Sequence, residues 1–168
     1  MVKFTKQIPE GDTREREVCI TCGFVDYNNP KIVAGSVVVH EGKVLLCRRA
    51  IEPRAGFWTL PAGFLEAHEQ PEEGAIREAL EEARARIVLD LLLGIYTVKR
   101  ISQVQMMFLA RFENGAVFEA GEETLEARLF GWDEIPWEEI AFPSVTWALK
   151  RWRDGVTGVG LAGFSVTD

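Results

Sequence analysis

Cysteine is scarce in this chain, with three among 168 residues. So few cannot staple a fold of this length with disulfides, and they point to a reducing compartment. Long hydrophobic runs are missing too. No segment reaches the roughly 18 apolar residues of a membrane span, and the opening MVKFTKQIPEGD has no apolar stretch of the kind a secretory leader carries. Basic clusters are also absent. The net charge is −7, and no basic run is interleaved with aromatics, which argues against binding nucleic acid by neutralising phosphates. That acidic balance does not oppose a polyphosphate substrate if metal ions bridge the two. The expectation is a cytoplasmic protein with neither membrane nor nucleic-acid partners. Its length suits one main domain with a real core, and 47% of its residues are hydrophobic.

The order of segments suggests a polar start over residues 1–29, a main domain over 30–153 and a glycine-rich tail over 154–168 that is expected to be flexible. IVAGSVVV (32–39) and KVLLCRR (43–49) read as the strands of a hairpin around His40-Glu41-Gly42. FWTLP is a short strand. LLLGIYTVKR, QVQMMFLARF and TLEARLFGW are later strand candidates, and Asp133-Glu134-Ile135-Pro136 is a turn. Ser144 is placed to cap a last helix, VTWALKRWR. Strands, then a helix, then strands, then a helix indicate an α+β fold rather than an alternating parallel one.

The densest information lies in residues 63–85, GFLEAHEQPEEGAIREALEEARA. Read as a helix from about Pro71, residues 78, 81 and 82 are three and four apart, so three carboxylates share a face. Ile76, Ala79, Leu80 and Ala83 are expected on the opposite, buried face. Acidic groups held this close repel one another unless a cation sits among them, and all-oxygen ligands suit magnesium or manganese. The spacing of Gly63, Glu69, Arg77, Glu78, Glu81 and Glu82 resembles the Nudix box, G-x5-E-x7-R-E-U-x-E-E-x-G-U with U aliphatic. Arg84 stands where the pattern has its second glycine. His68, where relatives often carry glycine, suits a left-handed turn better than a metal site.

The resemblance implies a mixed β-sheet between helices, an α/β/α sandwich carrying a loop-helix-loop box. It also implies hydrolysis of a nucleoside diphosphate linked to some other group. On that reading Glu81 and Glu82 lead the metal ligands, with Glu78 and the Ala62 backbone carbonyl beside them. Gly63 is expected to permit the tight turn that aims this carbonyl. Arg77 and Glu69 are expected to form a pair that either holds the box in place or takes part in catalysis. The expected general base is Glu78, the nearest candidate within the box, or a carboxylate of VFEAGEETLEARLF (Glu119, Glu122, Glu123 or Glu126), among which Glu123 is the first choice.

CRRAIEPRAGFWTLPAGFLE resembles Nudix enzymes acting on ADP-ribose, FAD or reduced nicotinamide dinucleotides. Arg49 and Arg54 can reach phosphates there, and Trp58 leads the candidates for stacking on adenine, ahead of Phe57, Tyr27 and Tyr96. NADH pyrophosphatases carry SQPWPFPxS after the box. This chain has Ser102-Gln103-Val104-Gln105-Met106-Met107-Phe108, which weakens NADH and leaves ADP-ribose or FAD ahead. Cys19-Ile-Thr-Cys22-Gly23 resembles the second half of the zinc ribbon that precedes such domains. Four ligands are needed for a closed site, so the knuckle is expected to survive as a zinc-free turn. A site shared by two chains is the alternative. Cys47 reads as a core residue, and His40 stands alone. A homodimer fits the family, and a nucleotide sensor without catalysis is the reading from another class.

Overall fold

A computed structural model describes residues 2–155 and 164–166. It divides into two compact units, residues 1–30 and residues 31–168. The smaller unit is a three-stranded antiparallel sheet of β1 (Phe4–Gln7), β2 (Arg16–Cys19) and β3 (Val25–Asp26). Between β2 and β3 the chain makes a knuckle. The Cys19 carbonyl accepts the Gly23 N–H at 2.9 Å, and the Phe24 carbonyl accepts the Cys19 N–H at 2.8 Å. Gly23, at φ 75°, takes the left-handed step this needs.

The larger unit is built on one mixed sheet. Its strands are β4 (Lys31–His40), β5 (Lys43–Arg49), β6 (Trp58–Thr59), β7 (Ala62–Phe64), β8 (Ile87–Val98), β9 (Gln103–Phe112), β10 (Thr124–Phe130) and β11 (Phe164–Val166). The main path runs β10-β5-β4-β9-β8-β11, with β6 on β5 and β7 on β4. Pairing is antiparallel except for β4 with β9 and β8 with β11. The β4–β5 hairpin closes through Glu41 and Gly42 at φ 48° and 76°, the pair of left-handed residues a tight two-residue turn demands. β8 starts earlier than expected and ends at Val98, because bulges near Asp90 and Leu93 let it follow β9 for twelve residues. Of the tail, residues 156–163 and 167–168 lie outside the described residues, and with them the expectation of flexibility.

Two helices cover the sheet, α1 (Pro71–Ala83) and α2 (Pro143–Arg153). Alternation along the strands sorts the core into two layers. Val37, Val44, Leu46 and Met107 pack with Val145, Ala148 and Leu149 of α2. Val38, Leu45, Cys47 and Ala110 pack with Ala79 and Ala83 of α1, and Ala34 and Phe108 with Ala75. This is the expected α+β sandwich. Cys47 is a core residue, as read.

Two local expectations need correction. Ser144 is not the cap of α2. Phe142 occupies that position, Pro143 opens the helix, and Ser144 is buried within its first turn. α1 also shows a different face to the sheet. Ile76 and Leu80 are exposed, whereas Gly74, Ala75, Glu78, Ala79 and Ala83 are buried. The smallest side chains face inward because the helix lies very close to the sheet: a Cβ on Gly74 would stand 3.3 Å from the Ala34 Cβ and 2.9 Å from Leu65.

β4 is the crowded strand. It pairs with β5 only at Val39 and His40 and with β7 at residues 33–35, while the Pro61 carbonyl accepts the Ser36 N–H between them. A Cβ on Gly35 would overlap the Ala62 Cβ. Gly35→Ala should therefore cost about 1–3 kcal/mol, a fall in Tm of roughly 2–12 °C for a domain of this size. Thermal unfolding of the variant checks this, and an unchanged Tm would show that β7 can retreat freely.

Candidate active site

Because α1 is so close to β7, its carboxylates meet strand backbone. A Cβ on Gly63 would collide with the Glu78 carboxyl group. Gly63 is thus required for lack of a side chain beside Glu78. It sits in β7 and is not a left-handed turn residue, contrary to expectation. One turn on, Glu82 accepts the Ala62 N–H at 3.2 Å.

Arg77 organises the acids around it. It grips Glu69 with two parallel hydrogen bonds, Nε to Oε1 at 2.7 Å and Nη2 to Oε2 at 2.9 Å. Its Nη1 reaches Glu78 at 2.6 Å and Glu81 at 3.0 Å, and Nη2 also donates to the Phe64 carbonyl. Glu69 in turn accepts the Glu66 N–H at 3.0 Å, which ties down the loop before α1. His68 takes the left-handed step in that loop at φ 70°.

Charge is distributed unevenly over these groups. The Arg77 guanidinium, helped by the Glu66 N–H, holds Glu69 down at about 2. Burial pushes Glu78 up despite Arg77 beside it. Glu82 is pushed up to about 8, first by burial and then by the charge of Glu78, with a further contribution from Glu123. The Ala62 N–H and Arg49 oppose this only in part. Burial raises the Cys47 thiol beneath Glu82.

The far end of α1 is closed by the loop before β10. The Ala83 carbonyl accepts the Glu119 N–H at 2.8 Å and the Glu82 carbonyl accepts the Gly121 N–H at 2.9 Å. Arg84 ends the helix in the left-handed conformation, φ 49°. This docking brings Glu122 and Glu123 to the rim of a cavity of about 850 Å³ whose lining includes Glu78, Glu81 and Glu82. Glu119 and Glu126 are not among its lining residues.

Arg49 also lines the cavity, with its guanidinium carbon 5.2 Å from the centre of the Phe142 ring. The two other expected substrate contacts lie elsewhere. Arg54 stacks on Phe57 at 4.0 Å and donates to the Ala141 carbonyl. Trp58 is buried edge-on against Phe130. Both are absent from the cavity lining because they are committed to the framework. Tyr96 is buried, and Tyr27 lies in the smaller unit beneath Arg16. At the other end of the cavity, segment 102–108 stands out in the sequence as bearing on the substrate, but its meeting with the start of α2 was missed. Gln103, Gln105 and Met107 of β9 line this end together with Phe142, Val145 and Trp147. The signal was the i, i+2 spacing of two glutamines on an otherwise apolar strand.

Among the described residues, no three His, Cys, Asp or Glu side chains form a ready metal shell. Arg77 lies between Glu78 and Glu81, and Glu82 is engaged by β7. The chemistry of the donor set nevertheless fits a hard divalent cation. It consists of oxygens only, and burial, with the charge of Glu78 added, raises the proton affinity of Glu82 that a cation would otherwise offset. In the smaller unit, Cys19 is buried and Cys22 exposed. The N–H groups of Cys22 and Thr21 lower the Cys19 thiol.

Residues 30–148 match the NUDIX domain. The chain belongs to the Nudix family. Residues 3–28 match the Nudix N-terminal zinc ribbon family. A NUDIX hydrolase from Nitrosomonas europaea is 47% identical with a TM-score of 0.85, over 91% of this chain and 86% of that one. The ADP-ribose pyrophosphatase of Methanocaldococcus jannaschii is 27% identical over 133 residues, 77% of this chain and 78% of that protein. The NAD-capped RNA hydrolase NudC of Pseudomonas syringae is 28% identical over 140 residues, and the match spans only 50% of its length. As a Nudix hydrolase, the protein is an enzyme acting on phosphorus-containing anhydrides. No described helix is long and apolar enough to cross a membrane, which leaves β-barrels unaddressed.

The raised Glu82 has a consequence for metal-free protein. The folded state holds that proton more tightly than the unfolded chain, so the associated stability is full below the ordinary value of 4.5 and is lost as pH rises towards about 8. In EDTA, wild-type Tm should fall between pH 5 and 9, and Glu82→Gln should fall less and be the more stable protein at pH 9. Parallel profiles for the two proteins would refute this.

Proposed function

We propose that the enzyme hydrolyses the pyrophosphate bond of a nucleoside diphosphate joined to another group, with ADP-ribose or FAD as the leading substrates. It does so in the cytoplasm with magnesium or manganese. The observation that carries this reading is the composition of the cavity lined by Glu78, Glu81 and Glu82. Its acidic end suits a metal-bound diphosphate, its amide and aromatic end suits a nucleobase, and its volume of about 850 Å³ accommodates both.

Glu78, Glu81 and Glu82, with the Ala62 carbonyl, would hold the metal. When bound, it neutralises diphosphate charge and makes water a nucleophile near neutral pH. Arg49 adds a guanidinium for a phosphate oxygen. Glu69 keeps Arg77 in place, and Arg77 restrains Glu78 and Glu81 against their mutual repulsion. Glu123 accepts the proton of the attacking water. The water oxygen joins one phosphorus as the bridging P–O bond of the other breaks, so ADP-ribose and water give AMP and ribose 5-phosphate.

The similarity to NudC and to the Nudix N-terminal family favours a second reading, a reduced nicotinamide dinucleotide as substrate. The altered SQVQMMF segment counts against it.

A panel of ADP-ribose, FAD, NADH and dNTPs incubated with magnesium, with release of AMP, phosphate and pyrophosphate followed, separates these readings. AMP from ADP-ribose or FAD is expected. Binding without turnover of any member would instead identify a sensor. Glu82→Gln should lower kcat at least about 100-fold, since the metal is worth several kcal/mol in the transition state. An undiminished rate would refute the metal assignment.

A further inference from the structure

Gln105 is an anomaly on its strand. It lies on the sheet face that carries Met107 and is only 8% exposed. A glutamine amide offers two N–H donors and a carbonyl acceptor. Here Nε2 donates to the side-chain Oε1 of Gln103 at 3.2 Å, and the Oε1 of Gln105 accepts no hydrogen bond from the described residues. The unused carbonyl oxygen and second N–H are therefore available at the cavity wall that Gln105 lines. Such a group is retained where a ligand completes it.

Its surroundings indicate which ligand. The amide shares the cavity wall with Met107 on its own strand and with Phe142 and Trp147 from the start of α2. Trp147 is held by the fully buried Tyr96, ring to ring at 6.0 Å, and Tyr96 is the strand partner of Gln105. A fixed aromatic wall beside an amide suits a flat heterocycle with a polar edge.

The sheet register supplies the distance to the acids. Gly35 of β4 pairs with Ala62 on one side and Met107 on the other, and Val33 pairs with Phe64 and Gln105. β7 and β9 are therefore two strand spacings apart, about 10 Å. A nucleoside 5′-phosphate covers such a span with its phosphate among the acids and its base at β9.

We propose that Gln105, oriented by Gln103, binds the polar edge of adenine in the nucleotide substrate. The amide accepts from the exocyclic amino group and donates to the adjacent ring nitrogen, a two-point match for adenine. This deepens the proposed hydrolase reading and rests on it for the identity of the nucleotide.

Calorimetric titration in magnesium with AMP and with ribose 5-phosphate tests it without turnover. Wild type should bind AMP at least about tenfold more tightly than the base-free phosphate. Gln105→Leu should lose about tenfold in AMP affinity, Gln105→Glu a smaller factor, and neither should change for ribose 5-phosphate. Unchanged AMP affinity in both variants, equal weakening of both ligands, or no preference for AMP in wild type would each overturn the subsite. No hydrolysis of the panel, with base-dependent AMP binding intact, would remove the hydrolase reading and leave the subsite standing.

Discussion

Two glutamates packed against the backbone of β7 set the terms for the rest of this site. Glu78 fits only because Gly63 has no side chain, and Glu82 reaches the strand only because Gly74, Ala75, Ala79 and Ala83 let the helix settle onto the sheet. The closeness that positions the carboxylates also strips them of water. Desolvation of an ionised carboxylate must be offset by opposite charge or relieved by a proton. Arg77 offsets part of it for Glu78, and its bidentate grip on Glu69 keeps it from drifting. Glu82 receives only a strand N–H and the opposing charge of Arg49, so it carries the largest unrelieved cost of the group.

The sheet converts that local arrangement into a ruler. Because β4 gives residues 33–35 to β7 and runs parallel with β9 along its length, every position at the acidic end has a counterpart at a fixed separation on β9. Side chains two residues apart on β9 then grade from Met107 through Gln105 to Gln103. The start of α2 closes this end with Phe142 and Trp147. The acidic end and the amide end of the cavity are thus set by strands of one sheet.

What could be read in the sequence follows the range of the interactions involved. β5, β9 and β10 are visible as runs of β-branched and apolar residues, and the carboxylates of α1 as residues one turn apart, because those signals are local. The buried face of α1 was not legible. Hydrophobicity assigns Ile76 and Leu80 to the core, whereas close approach to β4 selects alanine and glycine instead. Arg54 and Trp58 carry the right chemistry for a substrate, but the former is spent on the Ala141 carbonyl and Phe57 and the latter on Phe130. The amide end was legible only in part: residues 102–108 stand out against SQPWPFPxS, but the cavity joins β9 to α2 across the intervening β10, and no spacing rule links Gln105 to Trp147.

Arg84 shows how one such long-range contact absorbs a departure from the family pattern. A non-glycine residue in the left-handed region costs roughly 1–2 kcal/mol, and no basic residue in the last turn of α1 offsets the exposed carbonyls there. The loop at 113–123 supplies the compensation. Its N–H groups at Glu119 and Gly121 cap the carbonyls of Ala83 and Glu82, each worth about 1 kcal/mol net. The need for a bare backbone has moved with them. A Cβ at Gly121 would overlap the Glu81 carbonyl, so the close approach falls to a loop residue and the helix end can accept arginine. The same docking holds Glu122 and Glu123 beside the carboxylates of α1. The helix terminus and the delivery of the loop acids are therefore one structural event, in which the cost of a left-handed arginine is offset by contacts that the active site requires in any case.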